Sequence, residues 1–142
     1  MDITPIVARL SVIAGRANAL KELQSLTYEE FAQDEVLRAS AERNFQVAIQ
    51  AALDIGSILL ASLSVVVPSE YKEVFPKLAE VGILPASFAE KLVGMAKFRN
   101  VLVHLYLTVD VGKMYGYLQH DLGDLDLFAQ YVGKYLTSSA DA

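Results

Sequence analysis

Apolar positions recur at helical spacing along the whole chain, interrupted by signals for starts and stops. Thr4-Pro5 reads as a helix start, with threonine as cap and proline at the first helical position, where its missing N–H costs nothing. Ile6, Leu10, Ile13, Ala17 and Leu20 then follow at steps of three and four residues and predict an amphipathic helix to about Leu26. Thr27-x-x-Glu30 is a capping box that opens a short turn or bend. A second long helix is predicted from Asp34 to Leu63, with Phe45, Ile49, Leu53, Gly56, Leu60 and Leu63 as its inner stripe. Ala48, Ala51, Ala52, Ile55 and Ile58 make it apolar on most sides, so it is central, or half of it lies in an interface.

Val67-Pro68-Ser69 closes that element. A shorter helix from Glu70 to Val81 is expected to end at Gly82 and to be kinked or divided by Pro76. A fourth helix opens at Pro85 and turns Phe88, Leu92, Met95, Phe98 and Leu102 inward. After Leu105-Tyr106-Leu107-Thr108-Val109 loses the helical period, Asp110 is placed to cap a last helix running to about Leu136. Its apolar face is Val111, Met114, Leu118, Leu122, Leu125, Ala129, Val132 and Leu136, and Ser138 to Ala142 is expected to be a disordered polar tail. No alternating strand pattern or internal repeat is present. The expectation is an all-α fold: one domain over residues 1–137, built as an antiparallel bundle of four-helix type with one additional short, irregular helix.

Composition narrows the classes of function. At 142 residues and 54% hydrophobic content the chain can close one core without disulfides. The absence of cysteine excludes a thiolate nucleophile and thiolate metal sites, and fits a reducing compartment. The apolar run from Ile55 to Val67, broken by glycine and serines, is too short to span a bilayer, and Met1-Asp2-Ile3-Thr4-Pro5 lacks a basic leader. A cytoplasmic protein is expected, and its excess of apolar residues suggests a two-fold homodimer. The net charge of −5 argues against broad nucleic-acid affinity, although Lys91, Lys97 and Arg99 form a local group able to meet a short stretch of phosphate.

Candidate chemistry gathers in Lys97-Phe98-Arg99-Asn100-Val101-Leu102-Val103-His104-Leu105-Tyr106, which holds one of only two histidines. At about 100° per residue Asn100 and His104 share a helix face, whereas Arg99 lies about 140° round from His104. Arg99 and His104 therefore converge only if the helix ends near Val103 and the chain turns back, or if a second copy supplies the partner group.

Arg99, His104 and Tyr106 spell R-x-x-x-x-H-x-Y with a polar residue after the arginine, and in this the chain resembles the HEPN superfamily of ribonucleases. Arg99-Asn100-Val101-Leu102-Val103-His104 looks most like its HepT-like branch, the toxin half of HepT/MntA toxin–antitoxin pairs. The similarity extends to Ile49-Gln50-Ala51-Ala52-Leu53-Asp54-Ile55, to Tyr71-Lys72-Glu73-Val74-Phe75 and to Gly82-Ile83-Leu84-Pro85. It implies an endoribonuclease of a type VII system acting on tRNA or mRNA, in which a ribose 2′-hydroxyl attacks the adjacent phosphate. The two motifs would face each other across a dimer cleft, with His104 as general acid or base and Arg99 as the charge that stabilises the phosphorane. It further implies that Tyr106 is the site AMPylated by an MntA-like nucleotidyltransferase antitoxin, and it leaves open a noncatalytic, nucleotide-binding companion subunit.

Each residue also has a plainer role. His104 can bond a free carbonyl at a helix end, Asn100 can be solvated, and Tyr106 can be one more half-buried amphipath. Arg99 can pair with a carboxylate, for which Asp54 is the candidate, since a charge in that apolar stretch is costly unless paired. A dimerisation module with an accidental motif is the third alternative. His120 sits on a polar face, and Glu29, Glu30, Asp34 and Glu35 read as helix-start charges rather than metal ligands. No cofactor and a metal-independent mechanism are expected.

Overall fold

The computed structural model describes residues 1–104 and 110–140, except for the side chains at 103, 104 and 140. Among the described residues seven α-helices follow one another: α1 Thr4–Lys21, α2 Tyr28–Gln33, α3 Glu35–Ser62, α4 Val74–Glu80, α5 Ala86–His104, α6 Val111–His120 and α7 Gly123–Ala140. A 3₁₀ turn, Tyr71–Glu73, leads into α4. Among the described residues there is no strand, as the apolar spacing required.

α3 is the central element and packs against α1, α2, α4, α5 and α7. By length and composition alone it could cross a membrane, in contrast to the shorter apolar run on which the sequence expectation rested. Its apolar positions instead form the core: Phe45, Ile49, Leu53, Ile55, Leu59 and Leu60 are all buried. Leu63, expected inward, is 40% exposed because the helix stops at Ser62.

α2, α3 and α6 start at residues whose side chains cap them. Thr27 and Glu30 close a reciprocal capping box at 2.9 and 3.1 Å, which holds the Glu30 carboxyl below its usual range chiefly through the Thr27 backbone N–H. Asp34 and Asp110 accept bonds from Leu37 N and Lys113 N at 3.1 and 3.0 Å. Gly82, at φ +86°, is followed by bonds from Ile83 N to Leu78 O and from Gly82 N to Ala79 O, the paired closure that a left-handed residue makes possible. At α1 the start shifts by one residue: Ile3 is the cap position, Thr4 lies inside the helix, and its N–H is taken by Asp2 Oδ1 at 2.9 Å.

Three boundaries differ from the sequence reading. α1 ends at Lys21 rather than near Leu26, because Gln24 turns to α6: its side chain donates to Leu118 O and its carbonyl accepts from Gln119 Nε2. The helical division near Pro76 falls before Val74, leaving the proline in the first turn of α4, where no intrahelical N–H is needed. The last helix is two helices, broken at Asp121 and Leu122, and α7 runs on through Ser138–Ala140, where a disordered tail was expected.

Aromatic packing ties α6 to α3 and α5. Phe98 and Tyr117 stack with centroids 4.4 Å apart, Phe45 meets Phe98 edge-on at 5.4 Å, and the Tyr117 hydroxyl donates to Gly94 O at 3.0 Å. Burial, followed by the carboxylates of Asp121 and Asp124, raises the Tyr117 pKa above its usual 10.0.

Candidate active site

α5 presents the motif. Phe98 and Leu102 point into the core, which leaves Lys97, Arg99 and Asn100 on the flank that the 3₁₀ turn approaches. Docking of α4 against α3 and α5 brings Tyr71 over Arg99, with the guanidinium 4.6 Å from the ring centroid. Arg99 Nη1 donates to Asn100 Oδ1 at 3.2 Å. A planar cation stacked on a ring and tied to an amide has lost much of its freedom before any substrate arrives. Arg99 Nε is buried and has no hydrogen-bond partner among the described residues.

Arg99 forms the shared wall of two open depressions. The first, of about 500 Å³, is lined by Ser69, Glu70, Tyr71, Lys72, Lys97, Arg99 and Asn100. The second, of about 400 Å³, lies between α1, α3 and α5 and includes Arg9, Arg43, Gln50, Asp54 and Arg99. Together they gather five cations, Arg9, Arg43, Lys72, Lys97 and Arg99, against the carboxylates of Asp54 and Glu70. On a chain of net charge −5 this is a local reversal of sign, suited to a short polyanion.

The structure brings Lys97, Arg99 and Asn100 to one depression. Asp54 shares the second depression with Arg99 but does not pair with it. Its carboxylate bonds Arg9 Nε at 3.4 Å and Gln50 Nε2 at 2.8 Å, because α1 lays Arg9 beside that face of α3. Lys91 is also engaged elsewhere, 3.1 Å from Asp124, whose side chain is only 12% exposed. α5 stays helical through His104, so the chain does not turn back at Val103 to close the angle between Arg99 and His104. The His104 side chain and all of Tyr106 lie outside the described residues. His120 is exposed at the end of α6. Among the described residues no group of three or more His, Asp or Glu stands close enough to hold a metal ion.

Tyr71, Arg9 and Arg43 acquire positions here that sequence reasoning did not assign. Tyr71 and Gln50 fall in stretches that carried the resemblance, but nothing in their spacing linked them to Arg99.

Residues 13–132 match the model of the family described as Ribonuclease HepT-like, and the chain belongs to that family. It is 25% identical over 137 residues to the tRNA nuclease HepT of Aphanizomenon flos-aquae, covering 95% of this chain and 93% of that protein. It is 24% identical over 125 residues to the mRNA nuclease HepT of Shewanella oneidensis, covering 87% and 94%. Its fold matches the solved tri-AMPylated Shewanella oneidensis HEPN toxin in complex with MNT antitoxin with a TM-score of 0.85 at 22% identity, over 94% of this chain and 99% of that one.

Proposed function

We propose that this chain is a cytoplasmic, metal-independent endoribonuclease toxin that cleaves tRNA or mRNA as a homodimer. The observation that carries the reading is Arg99, clamped by Tyr71 and Asn100 at the edge of a cationic depression in a chain that is otherwise acidic. A guanidinium held in this way matches the charge that builds on a pentacoordinate phosphate and needs little reorganisation to do so. His104, at the end of the same helix, serves as the general acid or base, a role suited to an imidazole. Because α5 keeps Arg99 and His104 on different faces, the arginine of one protomer works with the histidine of its partner. The relatives named as tRNA and mRNA nucleases support the substrate class.

An MntA-like nucleotidyltransferase silences the enzyme by transferring AMP to Tyr106, two residues beyond His104; the phosphate so added repels RNA and fills the cleft. The AMPylated HEPN toxin of similar fold supports this step.

The test is growth after induction of the chain alone, beside Arg99→Ala and His104→Ala, with total RNA resolved on a gel. Arrest and new RNA fragments with the unsubstituted chain only are expected. Equal harmlessness of all three at equal expression would reject the nuclease and leave the companion-subunit reading.

A further inference from the structure

The depression between α1, α3 and α5 is separate from the cleft in which Tyr71 clamps Arg99, yet it shares that arginine as a wall. It is open, about 400 Å³ in volume, and its polar lining comes from three elements far apart in sequence: Arg9 from α1, Arg43, Gln50 and Asp54 from α3, and Arg99 from α5. Arg43 is exposed and makes no ion pair or side-chain hydrogen bond among the described residues.

Among the described residues, two buried polar atoms on the wall have no partner, the donor Arg99 Nε and the acceptor Gln50 Oε1. A buried group left without a bond costs stability unless something else satisfies it. The pair is complementary to a ribose phosphate. A phosphate oxygen accepts from the guanidinium, and a sugar hydroxyl donates to the amide oxygen. Both atoms are shielded from solvent as the side chains stand, so this ligand enters with a small rotation of the guanidinium. Asp54 does not oppose an anion at full strength, because Arg9 and Gln50 already engage it.

We propose that this depression is a second phosphate subsite, in which Arg43, Arg9 and Gln50 hold the nucleotide next to the phosphodiester that Arg99 faces. The RNA backbone then runs from the Lys72 and Lys97 side across Arg99 to Arg43, in single-stranded form, and Arg43 is a substrate-positioning residue rather than a catalytic one. This rests on the reading of Arg99 as the group that meets the reacting phosphate.

The test is fluorescence anisotropy of a labelled single-stranded RNA hexamer on the His104→Ala chain across a salt series, with Arg43→Gln, Arg43→Lys or Arg16→Gln added. Arg16 lies on α1 outside the depression, where it bonds Asn44. Arg43→Gln is expected to weaken binding roughly tenfold, as loss of a charged hydrogen bond does. It should also reduce the slope of log K against log salt by about 0.7, one phosphate contact on a single strand. Arg43→Lys should restore the slope, and Arg16→Gln should leave it unchanged. Equal slopes for Arg43→Gln and its parent, an absence of RNA binding, or a change in oligomeric state with no change in slope would each overturn the subsite. Binding is read without cleavage, so an unsubstituted chain that leaves RNA intact, beside an RNA affinity that still depends on Arg43, would reject the nuclease and keep the subsite.

Discussion

Gly56→Ala places one methyl where α3 meets α4. A Cβ built at Gly56 would lie 2.5 Å from Val74 Cγ1 and 3.1 Å from Leu78 Cδ1. Val74 is 1% exposed and β-branched, so its rotamer cannot swing away and α4 itself must move. Overpacking of this kind costs about 1–3 kcal/mol, against roughly 1 kcal/mol gained by replacing glycine within a helix. The net is a loss of about 1 kcal/mol, or roughly 3–4 °C in Tm for a chain of this length. Gly133→Ala, within α7 with nothing within 4 Å of the added methyl, has the helical gain without the clash and should raise Tm by a similar amount. Differential scanning calorimetry at matched protein concentration reads both. A Tm for Gly56→Ala at or above that for Gly133→Ala would refute the close approach of α4 to α3, and with it the docking that brings Tyr71 to Arg99.

Tyr71→Ala should lower kcat/KM two- to five-fold on an RNA substrate, since a half-exposed cation–π contact contributes about 0.5–1 kcal/mol. Tyr71→Phe should be near neutral, and a phenylalanine variant as impaired as alanine would show that the hydroxyl matters instead. The folded pKa of Tyr117 lies above its unfolded value, so its contribution to stability is complete below pH 10.0 and lost as pH rises through the raised pKa. Denaturant titrations should accordingly show a shallower alkaline decline for Tyr117→Phe; identical declines would contradict the burial argument. Leu53→Ala, at a site with 0% exposure in the middle of α3, should cost about 2–5 kcal/mol in urea unfolding; a loss under about 1 kcal/mol would place that residue outside the core.

The sequence disclosed the elements whose chemistry is local. The caps at Thr27 and Asp110 and the glycine closure at Gly82 depend on residues within one turn of each other, and each stands where it was expected. What it concealed depends on partners far along the chain. Met114, Leu118, Leu122 and Leu125 keep an apolar spacing across the break between α6 and α7, so hydrophobic periodicity cannot register that break. The early end of α1 follows from Gln24 bonding across 94 and 95 residues to α6. The same holds for the candidate site. Arg99 and Asn100 were legible as neighbours on one helix, whereas the Arg9 partner of Asp54 and the place of Arg43 emerge only when α1, α3 and α5 pack together.

The central claim is that Arg99 of one protomer works with His104 of its partner, and co-assembly of two dead variants tests it most directly. Arg99→Ala and His104→Ala chains, each inactive alone, are unfolded together, refolded at equal concentration and assayed on RNA. Half of the resulting dimers are mixed, and each mixed dimer keeps one intact composite site out of two, so roughly a quarter of the unsubstituted activity should return. A mixture as inactive as its parents, with mixed dimers demonstrated by native mass spectrometry, would contradict a site shared across the dimer.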